Sequence, residues 1–245
     1  VRGDQTGYAY TEDLSSEALL GAAQTAAAIA DGPARPGPTS LRVGELPQRY
    51  RLRVPWDEIG VPAKLPLLAG LNQRAFAADA RVKKVTVSMM DSSNVVLIAT
   101  SDGRLVEDHQ PMTRLWLSCV AEAGGRREQN GYNVSGRQGF DFYTPERLDR
   151  LVAEAVGRTT ILFDAVESPI GEMPVVLAAG SSGILLHEAI GHGLEADFNR
   201  KGISIYADRI GKPIAKPFVS IVDDGTQPGA RGALNVDDEG NATER

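Results

Sequence analysis

Two of the chain's three histidines fall in one short stretch, His187-Glu188-Ala189-Ile190-Gly191-His192. Neutral imidazoles are common zinc ligands, and a carboxylate beside them can take the proton from an attacking water. These are the residue types of metal-dependent hydrolysis. His187 and His192 are the candidate metal ligands and Glu188 is the candidate general base.

The spacing constrains the backbone. In the zinc-protease pattern H-E-x-x-H the histidines stand at i and i+4, within about 40° of each other around an α-helix. Here position i+4 is Gly191, and the second histidine follows one residue later. An i, i+5 pair on an ideal helix diverges by about 140°, which separates two rings that should meet one ion. Either the histidines cap and pack a helix end, or the helix is irregular at Gly191. A π-type turn would serve, with the glycine supplying backbone freedom.

The stretch needs a helix to carry it. Gly180-Ser181-Ser182-Gly183 offers an N-cap serine, and Ile184-Leu185-Leu186 begins an apolar face. Val175 to Ala178 reads as a strand leading into this helix, after a boundary at Pro169 to Pro174. Further upstream, Ser15 to Ala30 reads as an alanine-rich helix capped by Ser15, and Asp31 to Pro47 as a proline-rich linker. A second helix is expected from Ala63 to Asp79, with Pro62 and Pro66 in its first turn. Five β runs follow: Val82 to Met89, Val95 to Thr100, Leu105 to Gln110, Thr113 to Glu122 and Arg127 to Val134. Their short connections imply an antiparallel meander. Thr144-Pro145-Glu146 opens a helix to about Gly157, with Leu148, Leu151, Val152 and Ala155 on its apolar stripe.

The expected fold is α+β. An N-terminal region, residues 1–168, holds antiparallel sheet and flanking helices, and residues 169–245 begin a mainly β domain carrying the histidine helix. A net charge of −6 argues against wrapping a nucleic-acid backbone, and no apolar run reaches the length of a membrane span. The single cysteine, Cys119, excludes an internal disulfide framework and reads as a buried core thiol in a strand. Val1 at the start and Thr243-Glu244-Arg245 at the end read as internal to a longer protein.

Several longer blocks sharpen the reading. His187 to Gly202, Asp223-Asp224-Gly225-Thr226 through Gly229, and Leu234-Asn235-Val236-Asp237-Asp238-Glu239-Gly240 resemble the TldD branch of the TldD/PmbA metalloprotease family. Thr6-Gly7-Tyr8-Ala9-Tyr10 is similar to an N-terminal segment of that family. The resemblance implies a cytoplasmic zinc peptidase that cleaves unstructured peptides and peptide precursors, assembled with a TldE (PmbA) paralogue. The label "modulator of DNA gyrase" adds gyrase as an implied partner. The family resemblance also implies that His187 and His192 bind zinc, that Glu188 is the base, and that the third ligand is a cysteine beyond residue 245. On that expectation the 245-residue chain is inactive alone. Glu195 and Asp197 are candidate oxygen ligands, or carboxylates held by hydrogen bonds after the helix. A reading of a different class is a non-catalytic module that binds a partner subunit or regulates gyrase.

Overall fold

The computed structural model describes residues 5–31, 37, 40–180 and 182–245. The chain forms two compact units. One comprises residues 1–48, 94–110 and 234–243, the other residues 49–93, 111–233 and 244–245. The α+β class is as expected: a four-stranded sheet with helices beside it.

The larger unit is built around β3 (Arg104–Ala123) and β4 (Arg126–Gly136), paired antiparallel from Thr113↔Gly136 to Ala123↔Arg126. Gly124 and Gly125 close the hairpin at φ +57° and +78°. A two-residue turn of this hand matches strand twist and requires positive φ at both positions, which glycine alone adopts without strain. Along β3 the side chains alternate. Thr113, Leu115, Leu117 and Cys119 are buried, whereas Arg114, Trp116 and Ser118 are half-buried on the other face. The buried set packs with Leu71 and Ala75 of α2 (Val61–Ala78) and with Leu151, Val152, Ala155 and Val156 of α3 (Pro145–Thr160). Burial of a leucine such as Leu117 contributes about 1.5–3 kcal/mol. Cys119 is thus the core thiol expected, and burial pushes its pKa up to about 11.

The cap of α3 is the one anticipated: the Thr144 hydroxyl accepts from the Arg147 N–H, with Pro145 in the first turn. α2 starts two residues earlier than expected, so Pro66 lies inside the helix rather than in its first turn. The guanidinium of Arg126 does more than decorate a hairpin tip. It donates to the carbonyls of Leu162 and Phe163 and ties down the chain after α3.

The five expected β runs are three strands. β2 (Val82–Ala99) continues through Asp91-Ser92-Ser93-Asn94, and β3 continues through Gln110-Pro111. Asp91 accepts from the Lys64 ammonium of α2 at 2.6 Å, and the preceding Met90 offers its carbonyl to Thr113, whereas Ser92, Ser93 and Asn94 are exposed. The interruptions read from composition do mark something, because the chain passes between the two units at 93/94 and at 110/111.

In the smaller unit, α1 (Ser16–Ile29) is capped by Ser15 as expected, and β1 (Arg42–Val43) runs parallel to the start of β3. Here the Leu234–Gly240 block has a structural task. Asn235 donates to the buried Asp108 carboxylate at 2.8 Å, and Arg104 donates to the Gly240 carbonyl at 3.1 Å. Asp237 accepts from the N–H groups of Glu239 and Asn241, so this acidic loop satisfies itself. Residues 32–36 and 38–39 of the expected Asp31 to Pro47 linker lie outside the described residues, and Arg42–Val43 within it is strand rather than loop.

Residues 165–232 are organised differently. None of the described side chains there is buried. Val175–Ala178 is not assigned as a strand, and Val175, Val176 and Leu177 face solvent. An apolar tetrad is a strand only when another strand pairs with it.

Candidate metal centre

The histidine stretch begins in α4 (Gly183–Ala189), a helix of two turns. Ser182 occupies the N-cap, but its hydroxyl donates backward to the Ala178 carbonyl instead of accepting from the helix; Ser181 lies outside the described residues. The helix stops where the spacing demands an irregularity. Ile190 leaves the helical region at φ −132°, ψ −42°, and a 3-10 turn, Gly191–Leu194, takes over. The irregularity is a break followed by a tighter turn, not a π-type turn. Ile190, not Gly191, is the residue with unusual dihedrals, and Gly191 has no positive φ.

The break brings together what a straight helix separates. The His187 and His192 rings lie 4.4 Å apart between centroids, inclined at 65°. One ligand atom each from His187, Glu188 and His192 falls within 4.8 Å of the others. All three side chains are exposed, and the Glu188 carboxylate stands 3.7 Å from Nε2 of His192. On the opposite edge of that ring, Nδ1 of His192 lies 2.6 Å from Oε1 of Glu195. This hydrogen bond raises the His192 pKa above its ordinary value, aided by the charges of Glu195 and Glu188.

The turn is held from below. α5 (Ala196–Arg200) follows at once, and the Asn199 amide donates back to the carbonyls of Gly193 at 2.9 Å and Glu195 at 2.8 Å. The Ser204 hydroxyl also donates to the Gly193 carbonyl, at 2.5 Å. The Tyr206 ring presses so close that a Cβ on residue 193 would meet it at 2.7 Å. Gly193 is a glycine because there is no room for more. Gly202, at φ +69°, ends the helix, so Asn199-Arg200-Lys201-Gly202 forms a helix-exit turn, and Asn199 faces the turn rather than a ligand. A cavity of about 420 Å³ opens beside His187, lined also by Leu186, Leu194, Glu195 and Asp223. Asp223 is the lining group that spacing along the chain could not reveal.

The donor set suits a transition metal. Two zinc–nitrogen bonds of about 2.0–2.1 Å in a tetrahedron put the nitrogens about 3.3 Å apart. The observed ligand atoms lie within 4.8 Å of one another on exposed side chains, so an ion would have to draw them closer. Among the described residues no other histidine or cysteine joins them. His109 is a surface residue paired with Glu107 at 2.7 Å, and Cys119 lies in the core. Neither Glu195 nor Asp197 belongs to the group of ligand atoms. Asp224 is taken by Thr226 and Arg245.

Comparison with known proteins agrees with this chemistry. Residues 54–163 match the PmbA/TldA metallopeptidase central domain, and residues 170–245 the PmbA/TldA metallopeptidase C-terminal domain. A metalloprotease TldD homolog of Haemophilus influenzae is 38% identical over 98% of this chain and 51% of its own length. A homolog of the same name from Buchnera aphidicola is 35% identical, again over 98% and 51%. The chain therefore spans about half the length of these curated relatives. Two solved structures named as candidate modulators of DNA gyrase share the fold. That from Thermotoga maritima has a TM-score of 0.73 at 20% identity, covering 99% of this chain and 54% of that one. That from Bacteroides thetaiotaomicron has a TM-score of 0.71 at 17% identity, covering 98% and 55%. With both domain matches and these relatives in hand, the chain belongs to the PmbA/TldD metallopeptidase family.

Proposed function

We propose that His187 and His192 hold a zinc ion and that Glu188 is the general base of a peptide-hydrolysing centre. The observation that carries this reading is the helix break at Ile190, which gathers an i, i+5 pair and the intervening glutamate within 4.8 Å. Membership of a metallopeptidase family supports it. Bound zinc would supply Lewis acidity to a peptide carbonyl and to water. The chain's own part is proton handling and placement. Glu188 is exposed beside the pair, so it can take a proton from the attacking water and pass it to the departing amine. Neutral imidazoles leave the ion's charge uncancelled, which keeps it acidic.

A catalytic zinc normally has three protein ligands. This group offers two imidazoles and a carboxylate already assigned to the proton. We therefore infer that the isolated 245-residue chain binds zinc but does not turn over peptides. The wider reading is a cytoplasmic peptidase acting on unstructured peptides and precursors beside a PmbA-like paralogue. It is supported by the family alone, as is the division of the chain near residue 168. No helix among the described residues is long and apolar enough to cross a membrane.

The test is metal content and zinc affinity of the chain against a His187→Ala/His192→Ala variant. Stoichiometric zinc lost in the variant is the expected result, and zinc uptake unaffected by the double substitution overturns the assignment. The other reading, a binding module acting on a target such as gyrase, draws on the names of the two solved neighbours. Glu188→Ala in the full-length assembly separates the two: turnover lost with peptide binding kept favours the enzyme, and an unchanged phenotype favours the module.

A further inference from the structure

His192 meets a carboxylate at both edges of its ring, and unequally. Nδ1 lies 2.6 Å from Glu195 Oε1, whereas Nε2 lies 3.7 Å from Glu188 Oε2. An ionised carboxylate only accepts hydrogen bonds. At 2.6 Å the proton of a neutral ring therefore belongs on Nδ1, while 3.7 Å is outside hydrogen-bond range. Nε2 keeps its lone pair on the side that faces the Glu188 carboxylate. Glu195 is itself anchored. Its carbonyl accepts from both the backbone N–H of Asn199 at 3.1 Å and the Asn199 side-chain amide at 2.8 Å. The neighbouring Gly193 carbonyl accepts from Asn199 and Ser204. The carboxylate behind the ring is thus carried on a pinned segment of backbone.

We propose that Glu195 is a positioning residue of the metal centre: it accepts a hydrogen bond from the Nδ1–H of His192 and so presents Nε2 as the ligand atom. The inference rests on the zinc reading above and adds the residue that sets tautomer and aim. It assigns Glu195 a place behind the ligand, not on the ion. Carboxylates hydrogen-bonded to ligating histidines act in this way at metal sites generally, and their loss typically costs 10–100-fold in metal affinity.

The experiment has two readouts on the 245-residue chain. Ring-nitrogen NMR of the metal-free protein, at a pH where His192 is neutral, reports which nitrogen holds the proton. The expected wild-type result is Nδ1–H with a lone pair on Nε2. Glu195→Ala should shift His192 toward the Nε2–H form, leave the His187 signals in place, and lower zinc affinity about 10–100-fold. Glu195→Gln keeps a carbonyl acceptor and should restore the tautomer and part of the affinity. A wild-type His192 protonated on Nε2, or a tautomer unmoved by Glu195→Ala, overturns the proposal. So does a Glu195→Ala variant that binds zinc within twofold of wild type. A wild-type chain with the expected tautomer but no zinc uptake instead overturns the zinc reading, and the metal role of Glu195 with it.

Discussion

Replacing Gly193 by alanine tests the whole account of the turn. The added Cβ would lie 2.7 Å from Cε2 and 2.9 Å from Cδ2 of Tyr206. Carbon atoms pack best at about 3.5–4.0 Å, so ring or backbone must give way by about 1 Å. The Tyr206 backbone is tied to the same turn, because its N–H donates to the Ser204 hydroxyl, which itself donates to the Gly193 carbonyl, so relief has to come from rotating the ring or loosening the turn. Overpacking of this kind costs about 1–3 kcal/mol. The turn is exposed and outside the core, so it should relieve the strain by loosening locally, with little change in global stability. Zinc binding must then rebuild the turn, and affinity should fall by about 5- to 150-fold, the same energy read as a ratio. Competition titration against a chromophoric chelator measures it. Gly183→Ala is the matched control, since its Cβ would meet nothing within 4 Å. Tyr206→Ala in the Gly193→Ala background removes the clash and should recover most of the loss, a coupling that a double-mutant cycle isolates. If Gly193→Ala binds zinc like wild type, or if Tyr206→Ala fails to rescue it, the packing argument is wrong.

Three other predictions concern the larger unit. Cys119, with its pKa pushed up to about 11 by burial, should resist alkylation by iodoacetamide at pH 8 and react only after denaturant unfolds the chain; rapid labelling of the native protein contradicts the core assignment. Leu117→Ala, at a fully buried position between sheet and helices, should lower stability by about 2–5 kcal/mol in urea unfolding, whereas Trp116→Ala on the opposite face should not follow the same cavity rule. Asp79 is held down to about 2 by its hydrogen bond from the Arg81 guanidinium. The folded pKa lies below the unfolded one, so this contribution is fully present above about pH 4 and disappears as pH falls through about 2. Wild type should therefore melt above Asp79→Asn at pH 6, and the gap should shrink steadily from about pH 4 down to pH 2. A gap as large at pH 2 as at pH 6 refutes the assignment.

Much of the architecture is local chemistry and could be read from the chain. Ser15 and Thr144 are side chains whose oxygens accept helix N–H groups a few residues on, so they mark α1 and α3 without reference to the rest of the fold. Gly124-Gly125 demands a hairpin because two consecutive residues must take positive φ. The identities of His187, Glu188 and His192 were equally plain, since few residue types can hold an ion or move its proton. Continuity of the long strands was not legible. Asp91 to Asn94 is turn material by composition, yet β2 runs through it, with the Asp91 carboxylate held by a lysine on α2 and the preceding Met90 carbonyl by a threonine on β3. Val175 to Ala178 went the other way and joins no sheet among the described residues, because pairing is a property of two segments. At the site, spacing could state only a condition: rings five residues apart converge if the helix is broken. That Ile190 breaks it, that Tyr206 and Asn199 clamp the turn beyond, and that Glu195 returns to Nδ1 of His192 were decided by tertiary structure. These contacts cross a change of helix type, where residue spacing no longer fixes direction in space.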